Sequence, residues 1–174
     1  MGNGEWRDRP DVVAGSKVLV LGLGNDILTD DAAGLVIARE MRHRFADNPN
    51  VAVVDSCEMG LSLLDHIAGH RALIVVDSVQ SGRVPPGHLH EVGEDDIKTL
   101  PGMSPHFLGV GEILALGRLL GLPMPERVKL FAVEVADPFT LGTDLTPAVT
   151  QAMPAISERL AATVRAWAPA GQAP

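Results

Sequence analysis

The sequence predicts an α/β fold: a single domain in which a twisted, mostly parallel central sheet carries helices on both faces, making three layers. Three observations lead there. Strand-length aliphatic runs alternate with stretches of helical periodicity along almost the whole chain, the pattern left by successive βαβ units. The apolar content is aliphatic, with 46% hydrophobic residues but only 3% aromatics and no Tyr, which suits strands buried on both faces. Finally, 174 residues can enclose one sizeable core but not two of ordinary size.

The elements follow in order. Residues 1–16 mix Gly, Asp, Arg and Pro without periodicity and read as a flexible tail ahead of a domain over 17–168. Lys17 to Gly24 is an apolar run ending in glycines, a buried first strand. Thr29 or Asp30 then caps a helix running to about Phe45, with Ala33, Ile37, Met41 and Phe45 at i+4 spacing as its buried ridge. Val51 to Asp55 is a second strand, Leu61 to Ala68 a second helix, and Arg71 to Asp77 a third strand. Pro85-Pro86-Gly87 breaks the pattern, and His88 to Val92 alternates as a short edge strand. A loop at 102–105, a helix from about Leu108 to Leu120 and a strand from Arg127 to Val135 come next. Thr146-Pro147 places an N-cap before Pro at the first helical position. The last helix carries Val149, Met153, Ile156, Leu160 and Val164 as its apolar stripe, with a kink or restart expected at Pro154. Residues 169–174 form a second tail.

Composition excludes several function classes. A net charge of −8 and a pI near 5.1 leave no basic footprint for a phosphate backbone, so nucleic acid is not an expected partner. The longest apolar runs, at 18–23 and 72–76, are far short of a membrane span, and Met1 to Pro10 shows no apolar signal region. Cys57 is the single cysteine, which rules out an internal disulfide and fits a reducing compartment. A soluble, cytoplasmic, monomeric protein is expected.

The first loop admits two readings. Gly22-Leu23-Gly24 after a strand invites a dinucleotide, with Asp55 as the ribose acid, but Ile27 stands where the third glycine belongs. Asp30 and Asp31 at the next helix start would also repel a pyrophosphate. That pair can cap the helix, or one aspartate can cap while the other serves a site.

Ligands of open α/β sheets bind outside the carboxyl ends of the strands. Asp31 follows the end of the first strand, and Asp77 closes the apolar run Leu73-Ile74-Val75-Val76. An unpartnered carboxylate there would be costly, so Asp77 is expected to have a partner or a ligand. His106, in Ser104-Pro105-His106 before a helix, can complete a set of two carboxylates and one imidazole that suits a divalent metal such as nickel. His88 and His90 share a strand face, and an exposed surface explains them as well as metal binding does. Cys57 has no evident base partner, so a buried or inert thiol is expected rather than a nucleophile. No Gly-x-Ser-x-Gly elbow or His-Glu-x-x-His helix occurs in the sequence.

Four segments in order resemble the maturation endopeptidases of nickel–iron hydrogenases. They are Val18 to Asn25 with Leu28-Thr29-Asp30-Asp31, Leu73 to Val79, Ser104-Pro105-His106 with Leu108-Gly109, and Leu141-Gly142 with Leu145 to Val149. The resemblance spans about 17–164. It implies a phosphorylase/hydrolase-like three-layer sandwich that cleaves the C-terminal peptide from a hydrogenase large-subunit precursor after its metal centre is assembled. The family's metal-contacting positions fall on Asp31, Asp77 and His106, and the nickel is expected to be carried by the substrate. The chain departs from the family pattern in having Asp55-Ser56-Cys57 where Asp-Gly-Gly is common. It also has Asp26 after Asn25, and Val133-Glu134-Val135 without the usual proline. Two other functions compete: a non-catalytic nickel-dependent binding module or chaperone for the same precursor, and a nucleotide-binding enzyme.

Overall fold

The computed structural model describes residues 17–99 and 109–168. The strands are β1 (Val18–Leu23), β2 (Val51–Ser56), β3 (Ala72–Val79), β4 (Leu89–Gly93) and β5 (Arg127–Glu134), and the helices are α1 (Ala33–Arg44), α2 (Leu63–Ile67), α3 (Val110–Leu119) and α4 (Pro147–Trp167). They form one five-stranded sheet in the order β2-β1-β3-β5-β4. β1, β2, β3 and β5 pair in parallel. β4 closes one edge antiparallel to β5, with Leu89 opposite Val133 and Gly93 opposite Lys129.

The alternation of side chains along the strands builds two cores. Val18, Val20, Ile74, Val76, Phe131 and Val133 face α1 and α4, meeting Ile37, Met41, Val149, Ile156 and Leu160. Leu19, Leu21, Leu23, Leu73, Val75 and Leu130 face α2 and α3, meeting Leu63, Ile67, Val110 and Leu114. The predicted three layers and ridge of α1 are therefore observed.

Two glycines set how low α1 sits. A Cβ on Gly34 would lie 2.2 Å from the Leu23 carbonyl oxygen and 2.6 Å from that of Val76, and one on Gly22 would meet the Gly34 oxygen at 2.4 Å. The bare backbones let the first turn of α1 rest on the ends of β1 and β3. Asp31, three residues before Gly34, is thereby delivered to the carboxyl edge of the sheet.

Three expectations are corrected. The second helix is shorter than 61–68: a 3-10 turn over Gly60–Ser62 precedes the α-helix at Leu63–Ile67. β3 runs two residues past Asp77, because Ser78 and Val79 still pair with Val133 and Glu134 of β5. α4 does not restart at Pro154. Pro154 and Thr150, whose carbonyl loses its helical donor, both lie on the exposed face where water can serve instead.

Among the described residues, no helix is long and apolar enough to cross a membrane.

Candidate active site at the carboxyl edge of the sheet

The loop from Gly24 to Ala32 folds back on itself over the end of β1. Its closure leaves no room for a side chain at Gly24, where a Cβ would stand 2.0 Å from the Asp31 carbonyl oxygen. A 3-10 turn over Asp30–Ala32 follows, and both aspartates are buried.

Their side chains part there. Asp31 accepts a hydrogen bond from the Ser78 hydroxyl at 2.7 Å. Asp77, fully buried, accepts one from the Ser78 amide at 2.8 Å. Two sequence-predicted acids, 46 positions apart in the chain, thus converge on one serine at the end of β3. His106 lies outside the described residues. The loop that follows α3 reaches the amino edge of the sheet, where the Gly69 amide donates to the Pro123 carbonyl, so α3 runs towards that edge from its start on the carboxyl side at Gly109.

Asp30 does something else. Its carboxylate accepts from the amides of Ala136 at 3.0 Å, Asp137 at 2.9 Å and Thr146 at 2.7 Å, and from the Thr146 hydroxyl at 2.9 Å. Neither Thr29 nor Asp30 caps its own helix through a side chain. Asp30 instead clasps the β5–α4 loop to the β1–α1 loop. Thr146 occupies the N-cap position of α4 with Pro147 following, as predicted, but its hydroxyl is committed to Asp30 rather than to the helix.

A further buried acid lies outside the expected set. Glu134 ends β5 at 1% exposure. It accepts from the amides of Ser81 and Gly82 and the Ser81 hydroxyl, each at 2.8 Å, and faces His90 Nε2 at 3.1 Å. The signal was present, since a carboxylate closing an apolar strand is what singled out Asp77. His90 packs edge-on against His88 with ring centroids 4.9 Å apart. Among the described residues, no three His, Cys, Asp or Glu side chains gather to hold a metal.

Burial pushes the Glu134 carboxyl up, but hydrogen bonds from Ser81, His90 and Gly82 outweigh it and hold the group below the ordinary glutamate value. A depressed folded-state pKa contributes stability that is fully present above the unfolded value of about 4.3. That contribution is lost as pH falls below it, because the unfolded chain takes the proton first. Glu134→Gln is therefore expected to cost about 1–2 kcal/mol at pH 7. Melting curves of variant and parent should converge towards pH 3, and a constant gap across that range would exclude this origin.

Asp55 is bound by Arg39 Nε at 2.8 Å and by Arg42, so the acid proposed for a ribose is already occupied. Asp26 meets the same Arg39 at 2.8 Å. Cys57 is free and exposed, not buried, because the loop after β2 carries it past the sheet edge.

With this geometry in view, comparison with known proteins gives a consistent result. A family model described as hydrogenase maturation protease matches residues 35–163. The chain is similar to the hydrogenase 2 maturation protease of Escherichia coli (strain K12), 31% identical over 149 residues and covering 84% of this chain and 90% of that one. It is also similar to the hydrogenase expression/formation protein HupD of Rhizobium leguminosarum bv. viciae, 30% identical over 154 residues, covering 87% and 75%. Among solved structures, the hydrogenase maturating endopeptidase HybD from E. coli superposes with a TM-score of 0.72 at 27% identity, covering 86% of this chain and 93% of that one. A [NiFe] hydrogenase maturation protease HybD from Thermococcus kodakarensis shares the fold, with a TM-score of 0.65 at 22% identity.

Proposed function

The chain belongs to the hydrogenase maturation protease family, and from that premise we propose that it reads nickel already seated in a nickel–iron hydrogenase large-subunit precursor before removing the C-terminal peptide. It is an endopeptidase of hydrogenase processing. The finer reading assigns Asp31, Asp77 and His106 to the metal and places the protein in the cytoplasm as a monomer.

The observation that carries this reading is the convergence of Asp31 and Asp77 on Ser78. Two buried carboxylates on the ligand-binding edge attract a divalent cation, and oxygen donors with one imidazole suit a borderline ion such as nickel. His106 is tethered three residues before Gly109, where α3 begins on that same edge. The metal is here part of the substrate, so cleavage waits for nickel insertion and the three side chains orient the loaded C-terminus. No Ser- or Cys-based protease motif occurs in the sequence.

Intact-mass spectrometry of the precursor mixed with this protein tests the reading. Loss of the C-terminal peptide is expected only from the nickel-loaded precursor. Equal cleavage of nickel-free and nickel-loaded forms would overturn the checkpoint, and binding without any mass loss would point to the chaperone alternative.

A further inference from the structure

We infer that residues 137–143 form a preformed docking arm that grips an uncharged, apolar stretch of the precursor polypeptide next to the cleavage site. The inference rests on the reading of Asp31 and Asp77 as that site. Phe139 is 66% exposed and Leu141 76%, and Ile27, on the neighbouring chain segment, is 60% exposed. Three large apolar side chains left in water on two neighbouring chain segments are a cost the fold itself does not require.

Their backbone is nevertheless firmly held. The Thr29 amide and hydroxyl both donate to the Thr140 carbonyl, at 3.0 and 2.8 Å, and the Gly142 amide donates to the Ile27 carbonyl at 3.1 Å. Leu28 and Leu141 form an antiparallel bridge between the same two segments. Asp137 Oδ1 accepts from the amides of Phe139 and Thr140, at 3.2 and 3.0 Å, and shapes the turn that presents them. A rigid arm that keeps apolar groups in water is ordered before its partner arrives, so binding loses little entropy there.

The chemistry of the partner follows from what the arm lacks. Between Asp137, whose Oδ1 is taken by the arm's own amides, and Asp144, the stretch Pro138 to Thr143 carries no charge, in a chain with 21% charged residues. Recognition by burial rather than by ion pairs fits an apolar polypeptide segment. Its position makes that segment part of the substrate: Asp30 holds both ends of the arm's loop through Asp137 and Thr146, and Asp31 is the next residue.

The test measures affinity for a nickel-loaded large-subunit precursor with its C-terminal peptide intact, using Asp77→Asn protein so that binding is read apart from cleavage. Phe139→Ser with Leu141→Ser is expected to weaken binding at least about tenfold, with little dependence on salt, and Phe139→Leu to stay within about threefold of its parent. An affinity within twofold of the parent for the double variant would overturn the arm. The two single serine variants give the same decision should the double variant melt early. Cleavage by Asp77→Asn at the parental rate would instead strike the reading of the acid site, leaving the affinity comparison to judge the arm alone.

Discussion

Asp77→Asn and Asp31→Asn are each expected to slow cleavage of the nickel-loaded precursor by about a hundredfold or more, the scale typical of losing one preorganised electrostatic group. Asparagine keeps the shape of the side chain and an oxygen for the Ser78 amide or hydroxyl, at the positions now held at 2.8 and 2.7 Å. What it removes is charge. In the complex with substrate it removes attraction for the cation. Thermal melting of each variant separates that loss from loss of the fold, since an acid with a purely structural role would lower stability and cleavage together. Retention of full cleavage by both variants would dismiss Asp31 and Asp77 as the site.

The elements that were legible in the sequence are those whose signal is local. β1 is six apolar or glycine residues in a row, all buried, and the ridge of α1 repeats at every fourth residue. Asp77 was legible because a charge closing Leu73 to Val76 contradicts its surroundings, and the structure meets that cost with the Ser78 amide. Glu134 contradicts its surroundings in the same way at the end of Leu130 to Val133. Its role is not legible locally, because its partners come from 44 to 53 residues away, in Ser81, Gly82 and His90. The division of labour between Asp30 and Asp31 was equally out of reach. Each sits at a helix start, and only the arrival of a loop more than 100 positions later decides which one turns towards it. Pro154 shows the opposite case, a strong local rule overridden because its missing hydrogen bond falls on the wet side of α4. The resemblance drawn from four short motifs supplied the family, and the family model and relatives bear that out.

Asp30→Ala is expected to be the most destabilising single substitution at this edge, at about 3–5 kcal/mol. The carboxylate is wholly buried and is the shared acceptor for the amides of Ala136, Asp137 and Thr146 and for the Thr146 hydroxyl. Hydrogen bonds to a charged acceptor are worth about 1.5–3 kcal/mol each, and stranding buried donors adds to that loss; water entering the vacated space recovers part of it. Asp30→Asn is also expected to fail, since its amide would turn N–H groups towards backbone N–H groups. Thermal melting and amide hydrogen exchange check this together: the amides of Ala136, Asp137 and Thr146 should lose protection before those of β1 and β3. A stability change under 1 kcal/mol would show that the clasp is dispensable. The consequence for function is specific. With the clasp gone, the arm bearing Phe139 and Leu141 is no longer registered against Asp31, so precursor affinity should fall even at temperatures where the sheet remains folded. Asp30 therefore joins docking to chemistry without belonging to either, which explains why two adjacent aspartates, alike in sequence, face opposite partners.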